Sequence, residues 1–453
     1  MEVPLCEAGP VDDAVDWTDL TRPTPAWFPA ARLGIFVHWG AYSVPAWAEP
    51  TGELGTIDEA TWVRHNPYAE WYWHTIQLPG APAREHHRTV WGDRPYDDFL
   101  DLWKAESFDA AAWARLFRQA GARYVVLVTK HHDGIALWDA PGTGTRNTVH
   151  RGPQRDLVAE LAAAVRAEGL RFGTYYSGGL DWSVTGFLDP EQPLLRPNDA
   201  AYAAYAAVHV RDLVDRYAPD VLWNDIEWPD AGKHRGRLGL HELFRHYYDA
   251  VAEGVVNDRW GETHWDYRTS EYQHARENES AAVWENNRGI GLSFGYNQVE
   301  GPEHSLDAHA AVRHLVDVVS RGGNLLLDVG PTAAGEIPEL QRRTLEGLGA
   351  WLAANGGAVH GAAPLSPAVA TASDEPWVRW TATPTTAYAV VDAAGDVTVR
   401  ADHDAVDWAA SRTPAGTAVE AQPVDGGLAL RLPPADGPAV VGFPLAGTVG
   451  PRA

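Results

Sequence analysis

Uninterrupted apolar runs recur along most of the chain, and each ends abruptly in polar or charged residues. Leu33-Gly34-Ile35-Phe36-Val37 gives way to His38-Trp39-Gly40. Tyr124-Val125-Val126-Leu127-Val128 gives way to Thr129-Lys130-His131-His132-Asp133-Gly134, and Val221-Leu222-Trp223 to Asn224-Asp225-Ile226-Glu227. Short apolar runs without alternation are what a strand buried on both faces requires. The pattern predicts strands over 33–37, 124–128, 172–176, 221–225 and 324–329, with another strand end near 255–260. Between them, apolar residues recur at helical spacing: Trp113, Leu116 and Phe117; Leu157, Leu161 and Val165 behind a capping Asp156; and Leu345, Leu348 and Leu352 within 338–354. Residues 198–217 read as a further helix. Strand–helix alternation implies a parallel sheet covered by helices. Chemistry-bearing residues gather just after the strands, which is where an α/β barrel of the (β/α)8-like (TIM-type) class carries its active site.

The texture changes after Gly356-Gly357. Trp377-Val378-Arg379-Trp380, Tyr388-Ala389-Val390-Val391, Val397-Thr398-Val399 and Leu428-Ala429-Leu430-Arg431-Leu432 are short, alternating and separated by Gly, Pro and Asp. That pattern predicts a C-terminal antiparallel β-sandwich. A chain of 453 residues exceeds what one core usually serves. We therefore expect a catalytic barrel over 1–360 and a β-sandwich domain over 361–453, the latter packing on the barrel as a structural companion. The segment 50–98 reads as a loop-rich insertion, and a long ordered insertion in a barrel is usually functional.

Composition narrows the function. The net charge of −25, with no basic cluster to offset it, argues against nucleic acid as a partner. No stretch approaches the roughly 18–20 apolar residues of a membrane span. Cys6 is the only cysteine, so an intrachain disulfide is impossible and a thiolate metal site implausible. The N-terminus shows neither a basic region nor an apolar core of a signal peptide, which leads us to expect a cytoplasmic protein. Core packing explains many of the 21 tryptophans, but an excess of Trp alongside His and acids also suits carbohydrate binding.

Asp225 sits among Trp223, Glu227 and Trp228 at the end of a buried run. Tryptophan faces pack on the apolar faces of pyranoses, so a carboxylate there points to glycoside chemistry. The plainer alternative is an acidic turn with Asp225 capping a helix. His131-His132-Asp133 invites a metal reading, but neighbours on a strand point to opposite faces and no paired-ligand spacing occurs. We expect no metal and no cofactor. His86-His87 reads as a polar loop pair.

Several stretches together resemble the α-L-fucosidase family, glycoside hydrolase family 29. They are Gly34-Ile35-Phe36-Val37-His38-Trp39-Gly40-Ala41-Tyr42-Ser43-Val44-Pro45, Ala69-Glu70-Trp71-Tyr72, Lys130-His131-His132-Asp133-Gly134, Leu222-Trp223-Asn224-Asp225, Asn257-Asp258-Arg259-Trp260-Gly261, Ser293-Phe294-Gly295-Tyr296-Asn297 and Gly322-Gly323-Asn324-Leu325-Leu326-Leu327. They run in family order over roughly residues 15–360. The resemblance implies a (β/α)8-like barrel with a C-terminal β-sandwich and retaining, exo-acting hydrolysis of terminal α-L-fucosyl residues. It puts Asp225 at the nucleophile position and Glu271 at the acid/base position. Around the sugar it puts His38, Tyr68, Glu70, Trp71, His131, His132 and Arg259, with Phe36, Trp223 and Phe294 around the C6 methyl. The implied partner is a fucosylated oligosaccharide or glycoconjugate.

Retention requires two carboxyl groups about 5–5.5 Å apart across the anomeric carbon. Glu70, Glu227 and Glu285 compete with Glu271 for the acid/base role, and Glu271 could instead be a solvated surface acid. Taken without the family, Phe36 and Phe294 read as core residues. Two positions depart from the family pattern. Glu227 stands where Gly is common, close enough in sequence to perturb Asp225 or the leaving-group side, and Asp328 stands where Asn is usual. Two rival functions fit less well: an exo-glycosidase acting on another sugar of the same configuration, such as a β-D-galactoside or a fucose analogue, and a sugar-binding protein without turnover.

Overall fold

Eight parallel strands form one sheet: β1 (Leu33–Val37), β2 (Tyr124–Lys130), β3 (Arg171–Ser177), β4 (Val221–Asp225), β5 (Val255–Val256), β6 (Arg268–Glu271), β7 (Trp284–Gly289) and β8 (Asn324–Val329). Their order is β5-β4-β3-β2-β1-β8-β7-β6. The computed structural model describes residues 15–445 apart from 54, 188–190, 193, 273–280, 433 and 435. Cys6 lies outside the described residues. Among those described, no strand ladder joins β5 to β6. The seam is crossed instead by the Asp266 N–H, which donates to the Val256 carbonyl at 2.9 Å.

Alternation along each strand explains why the sheet curls. Phe36, Tyr124, Val126, Tyr175, Trp223, Val255 and Leu326, from six strands, pack together as one interior cluster. Their neighbours Ile35, Val37, Val125, Leu127, Leu222 and Leu325 belong to the outer cluster beneath the helices. Gly34 is required where it stands. A Cβ there would lie 2.3 Å from the Tyr124 ring, so any side chain would expel that ring from the barrel.

The covering helices start where short acids can cap them. Asp109, Asp156, Asp199 and Asp307 each accept a hydrogen bond from a backbone N–H in the first turn of the helices Ala110–Gln119, Leu157–Ala167, Ala200–Tyr217 and Ala308–Ser320. Each such cap is worth about 1 kcal/mol.

Two features go beyond the sequence reading, and one expectation, the His86-His87 loop pair, needs correction. β6 and β7 carry no apolar run, yet Trp284–Gly289 is buried at every position. The insertion over 50–98 is loop-rich, as expected, and also holds the helices Glu59–Arg64, Tyr72–Thr75 and Pro82–Trp91. His86 and His87 therefore lie on a helix, with Pro82 pre-set for its first turn. His86 stacks on Trp47 with ring centroids 4.4 Å apart, and His87 bonds the Tyr72 hydroxyl at 3.0 Å.

Beyond the helix Glu339–Asn355 the chain becomes antiparallel. Ala363–Pro364, Ser373–Asp374, Trp377–Ala382, Thr386–Asp392 and Ala439–Pro444 form one sheet. Gly395–Val399, Glu420–Val424 and Gly427–Leu432 form a second. Val378, Trp380, Val391, Val399, Leu428, Leu430 and Phe443 fill the space between them. Trp377, Val390 and Val440 join the core of the barrel. Asp317, on Ala308–Ser320, accepts from Arg379 at 2.5 Å, and Asp392 accepts from Arg313 at 2.8 Å. Among the described residues no helix is long and apolar enough to cross a membrane.

Candidate active site

Asp225 is the last residue of β4 and Glu271 the last of β6. Both are followed by left-handed backbone: Ile226 and Glu227 have φ of 55° and 63°, and Tyr272 has φ of 44°. That conformation is costly for bulky or β-branched residues, and strain of this kind concentrates at functional sites. Here it turns the chain sharply away and leaves each carboxylate at the barrel mouth. Gly179 accommodates the first turn, since a Cβ there would fall 1.8 Å from the Ile226 carbonyl oxygen.

Arg259 links the two acids. Its Nη1 donates to Asp225 Oδ1 at 2.9 Å and its Nη2 to Glu271 Oε2 at 3.0 Å. Its Nε donates to Thr269 Oγ1 at 3.1 Å, so the planar fork is held from three sides. The guanidinium carbon lies 4.7 Å over the Trp223 ring. Burial opposes the Arg259 charge, but the two carboxylates outweigh it and push the guanidinium further up. The remaining carboxylate oxygens are also occupied. Tyr175 donates to Asp225 Oδ2 at 2.8 Å, and Tyr68 donates to Glu271 Oε1 at 3.1 Å.

The histidines are held neutral by burial. His38, His131 and His132 are all pushed well below the usual imidazole range, first by desolvation and, for His131 and His132, also by the Lys130 ammonium. The Ser177 hydroxyl donates to the Leu180 carbonyl at 2.8 Å, so it must accept from His132 Nδ1 at 2.6 Å. That assignment leaves the His132 Nε2 lone pair facing Asp225 Oδ2, 3.9 Å away. His38 Nδ1 is 2.6 Å from Asp328 Oδ1, and burial raises the Asp328 carboxyl well above the usual carboxylate range.

A cavity of about 850 Å³ opens on these groups. Asp225, Glu271, Phe36, His38, Tyr68, Glu70, Trp71, His131, His132, Trp223, Arg259 and Phe294 all line it. The structure thus brings together residues separated by more than 200 positions in sequence. Tyr175, Trp62 and Asn287 also line it and escaped the sequence reading. Tyr175 sits inside a run that reads only as a buried strand, and Asn287 inside a strand that hydropathy does not reveal.

The rival acids are sorted by their surroundings. Glu285 is fully buried below the cavity and accepts from the Trp223 indole at 3.0 Å and from the Tyr124 hydroxyl. Glu70 lines the cavity, but its Oε2 is occupied by Ser293 Oγ at 3.1 Å and the Gly295 N–H at 2.7 Å. Glu227 is directed away from Asp225, pairing with Arg196 and with Lys233 at 3.6 Å. The argument that His131 and His132 face opposite ways also needs correction. β2 ends at Lys130, so strand alternation no longer applies, and the two rings line the same cavity with centroids 4.0 Å apart. Among the described residues, no three His, Cys, Asp or Glu side chains are grouped to hold a metal ion.

Two carboxylates at strand ends, joined by an arginine fork among aromatic walls at the mouth of a parallel barrel, define a glycoside hydrolase. The sequence model of the α-L-fucosidase family matches residues 11–357, and the chain belongs to that family. It is 33% identical over 367 residues to the α-L-fucosidase of Dictyostelium discoideum, covering 79% of this chain and 75% of that one. It is 33% identical over 359 residues to human tissue α-L-fucosidase, covering 77% and 72%. Among solved structures, an α-L-fucosidase superposes with a TM-score of 0.87 at 43% identity, over 95% of this chain and 99% of that one. The Thermotoga maritima α-fucosidase in complex with fucose superposes with a TM-score of 0.83 at 42% identity, over 93% and 97%.

Proposed function

We propose that this α-L-fucosidase is a retaining, exo-acting enzyme that removes terminal α-L-fucosyl residues from oligosaccharides or glycoconjugates by double displacement. The observation that carries the reading is the single guanidinium of Arg259 bonded at once to Asp225 and Glu271 over one aromatic-walled cavity. The fork brings both carboxylates to one sugar-sized pocket, which is compatible with the about 5–5.5 Å spacing of a retaining pair.

In this reading Asp225 attacks C1 while Tyr175 and Arg259 hold its oxygens in line. Glu271 gives a proton to the leaving oxygen, and the alcohol departs. Glu271 then takes a proton from water, whose oxygen attacks C1 and releases Asp225. The neutral imidazoles of His38, His131 and His132, with Glu70 and Trp71, hydrogen-bond the ring hydroxyls. Phe36, Trp223 and Phe294 supply the apolar surface for the C6 methyl. The interior layer of Phe36, Tyr175 and Trp223 floors the barrel, which suits a pocket one sugar deep.

The test is NMR of the first-formed product from an aryl α-L-fucoside. α-L-fucose appearing first is expected, and β-L-fucose first would mean inversion. Asp225→Gly should lower kcat by about a thousandfold or more, with azide restoring turnover through a fucosyl azide. Full activity in that variant would remove Asp225 from the mechanism. Fucose binding without any turnover by the wild type would make the protein a sugar binder.

A further inference from the structure

Asn287 lines the cavity, is 1% exposed, and has no hydrogen-bond partner for either amide atom among the described residues. Its neighbour Asn286 is the opposite. The Asn286 Nδ2 donates to Ser270 Oγ and the Tyr272 carbonyl at 3.1 and 3.2 Å, and its Oδ1 faces His314 Nε2 at 2.8 Å. A buried amide with nothing to bond costs about 1–3 kcal/mol, so an unpaired one inside a binding pocket points to a ligand group.

Strand register locates it. Asn287 is the Cα partner of Glu271 across β6 and β7, and paired residues of neighbouring strands face the same way. Glu285, two residues earlier on the same face, takes the Trp223 indole. Asn287 therefore stands one layer above that carboxylate, beside Glu271, on the arc of the barrel whose loop carries Phe294. His38, His131 and His132 come from the ends of β1 and β2. A sugar with C1 at Asp225 and its C2–C4 hydroxyls toward those histidines turns its C5 substituent toward β7.

We propose that Asn287 reads the C6 position of the sugar and extends this enzyme's activity to α-L-galactosides, the 6-hydroxylated counterparts of α-L-fucosides. The inference rests on the fucosidase reading above. Phe36, Trp223 and Phe294 alone would leave a C6 hydroxyl unpaired. The Asn287 amide offers that hydroxyl both an acceptor and a donor. The reaction is the same hydrolysis: the C1–O bond breaks, the leaving oxygen takes the Glu271 proton, and water supplies the new anomeric hydroxyl and returns the proton.

The experiment compares 4-nitrophenyl α-L-fucoside with 4-nitrophenyl α-L-galactoside for the wild type and for Asn287→Leu. The wild type is expected to hydrolyse both. In N287L the ratio of kcat/KM for galactoside over fucoside should fall about tenfold or more, because the hydroxyl loses its partner in the transition state. Taking the ratio within one preparation cancels any loss of folded enzyme. Fucoside turnover without galactoside turnover in the wild type overturns the proposal, as does an unchanged ratio in N287L. Turnover of neither substrate sinks the fucosidase reading itself. If N287L does not fold, product inhibition decides: comparable inhibition by L-galactose and L-fucose supports the proposal, and no inhibition by L-galactose refutes it.

Discussion

His38 and Asp328 show how a single buried contact sets the behaviour of a pocket residue. Burial pushes the Asp328 carboxyl up and the His38 imidazole down, so the 2.6 Å bond between them holds one proton and no net charge. With the proton on Asp328, the carboxyl donates to Nδ1, and the imidazole carries its own hydrogen on Nε2, ready to donate to a sugar oxygen. When pH rises through the Asp328 transition the pair becomes an anion, the remaining hydrogen is drawn to Nδ1, and Nε2 becomes an acceptor. KM for an aryl α-L-fucoside should therefore climb on the alkaline side. Asp328→Asn removes the ionisable group, so the pair can no longer become an anion, and it should flatten that climb. KM measured from pH 6 to 9 in both proteins checks this, and identical profiles would show that the pair does not titrate there. Arg259 shows the complementary case: its charge is secured by two acids, and nothing near it competes for the proton.

Hydrogen bonding from distant segments, rather than apolar content, builds the two strands that complete the barrel. β1, β2, β4 and β8 are legible in the sequence because their buried faces are filled by Phe, Val, Ile, Leu and Trp. β7 reads Trp-Glu-Asn-Asn-Arg-Gly and β6 reads Arg-Thr-Ser-Glu. Glu285 and Asn286 are satisfied by Tyr124, Trp223 and His314, which no local window can contain. The site divides in the same way. Asp225 stands out at the end of an apolar run. Glu271 does not, and only its resemblance to a family motif marks it. Tyr175 looks like any other strand residue until the fold turns it toward Asp225. The same logic predicts where the barrel is vulnerable. Asn286→Leu keeps the volume of β7 but strands the Ser270 hydroxyl, the Tyr272 carbonyl and His314. It should lower the unfolding free energy by about 2 kcal/mol in urea titration. It should also lower activity, because Tyr272 forms the turn that positions Glu271. An unchanged urea midpoint would mean that β7 is held by its backbone ladder alone.

Across the whole molecule, buried ionisable groups set a pH range for stability that the net charge alone would not reveal. Burial raises Glu70 and Glu285 to about 7 and Glu300 to about 8, against the partial pull of their hydrogen bonds. Burial lowers His209 and His360 to about 4 and His314 to about 3. A carboxyl raised by folding binds its proton more tightly in the native state. Its contribution is therefore full below about 4.5 and is lost as pH rises toward 7 or 8. A histidine lowered by folding works in the opposite direction: its contribution is full above about 6.5 and is lost as pH falls toward 4. The two effects oppose each other between about 4.5 and 6.5. Above that only the carboxyl effect remains, so the melting temperature should fall from pH 6.5 to 8.5. The negative surface could give the same trend through self-repulsion, since the chain carries a formal −25. Glu285→Gln separates the causes. It removes one buried titration while changing the surface by nothing, and glutamine keeps a carbonyl for the Trp223 indole. The variant should lose less melting temperature than the wild type over that interval. Parallel curves for the two proteins would assign the whole trend to surface repulsion and leave Glu285 ionised beneath the pocket at every pH tested.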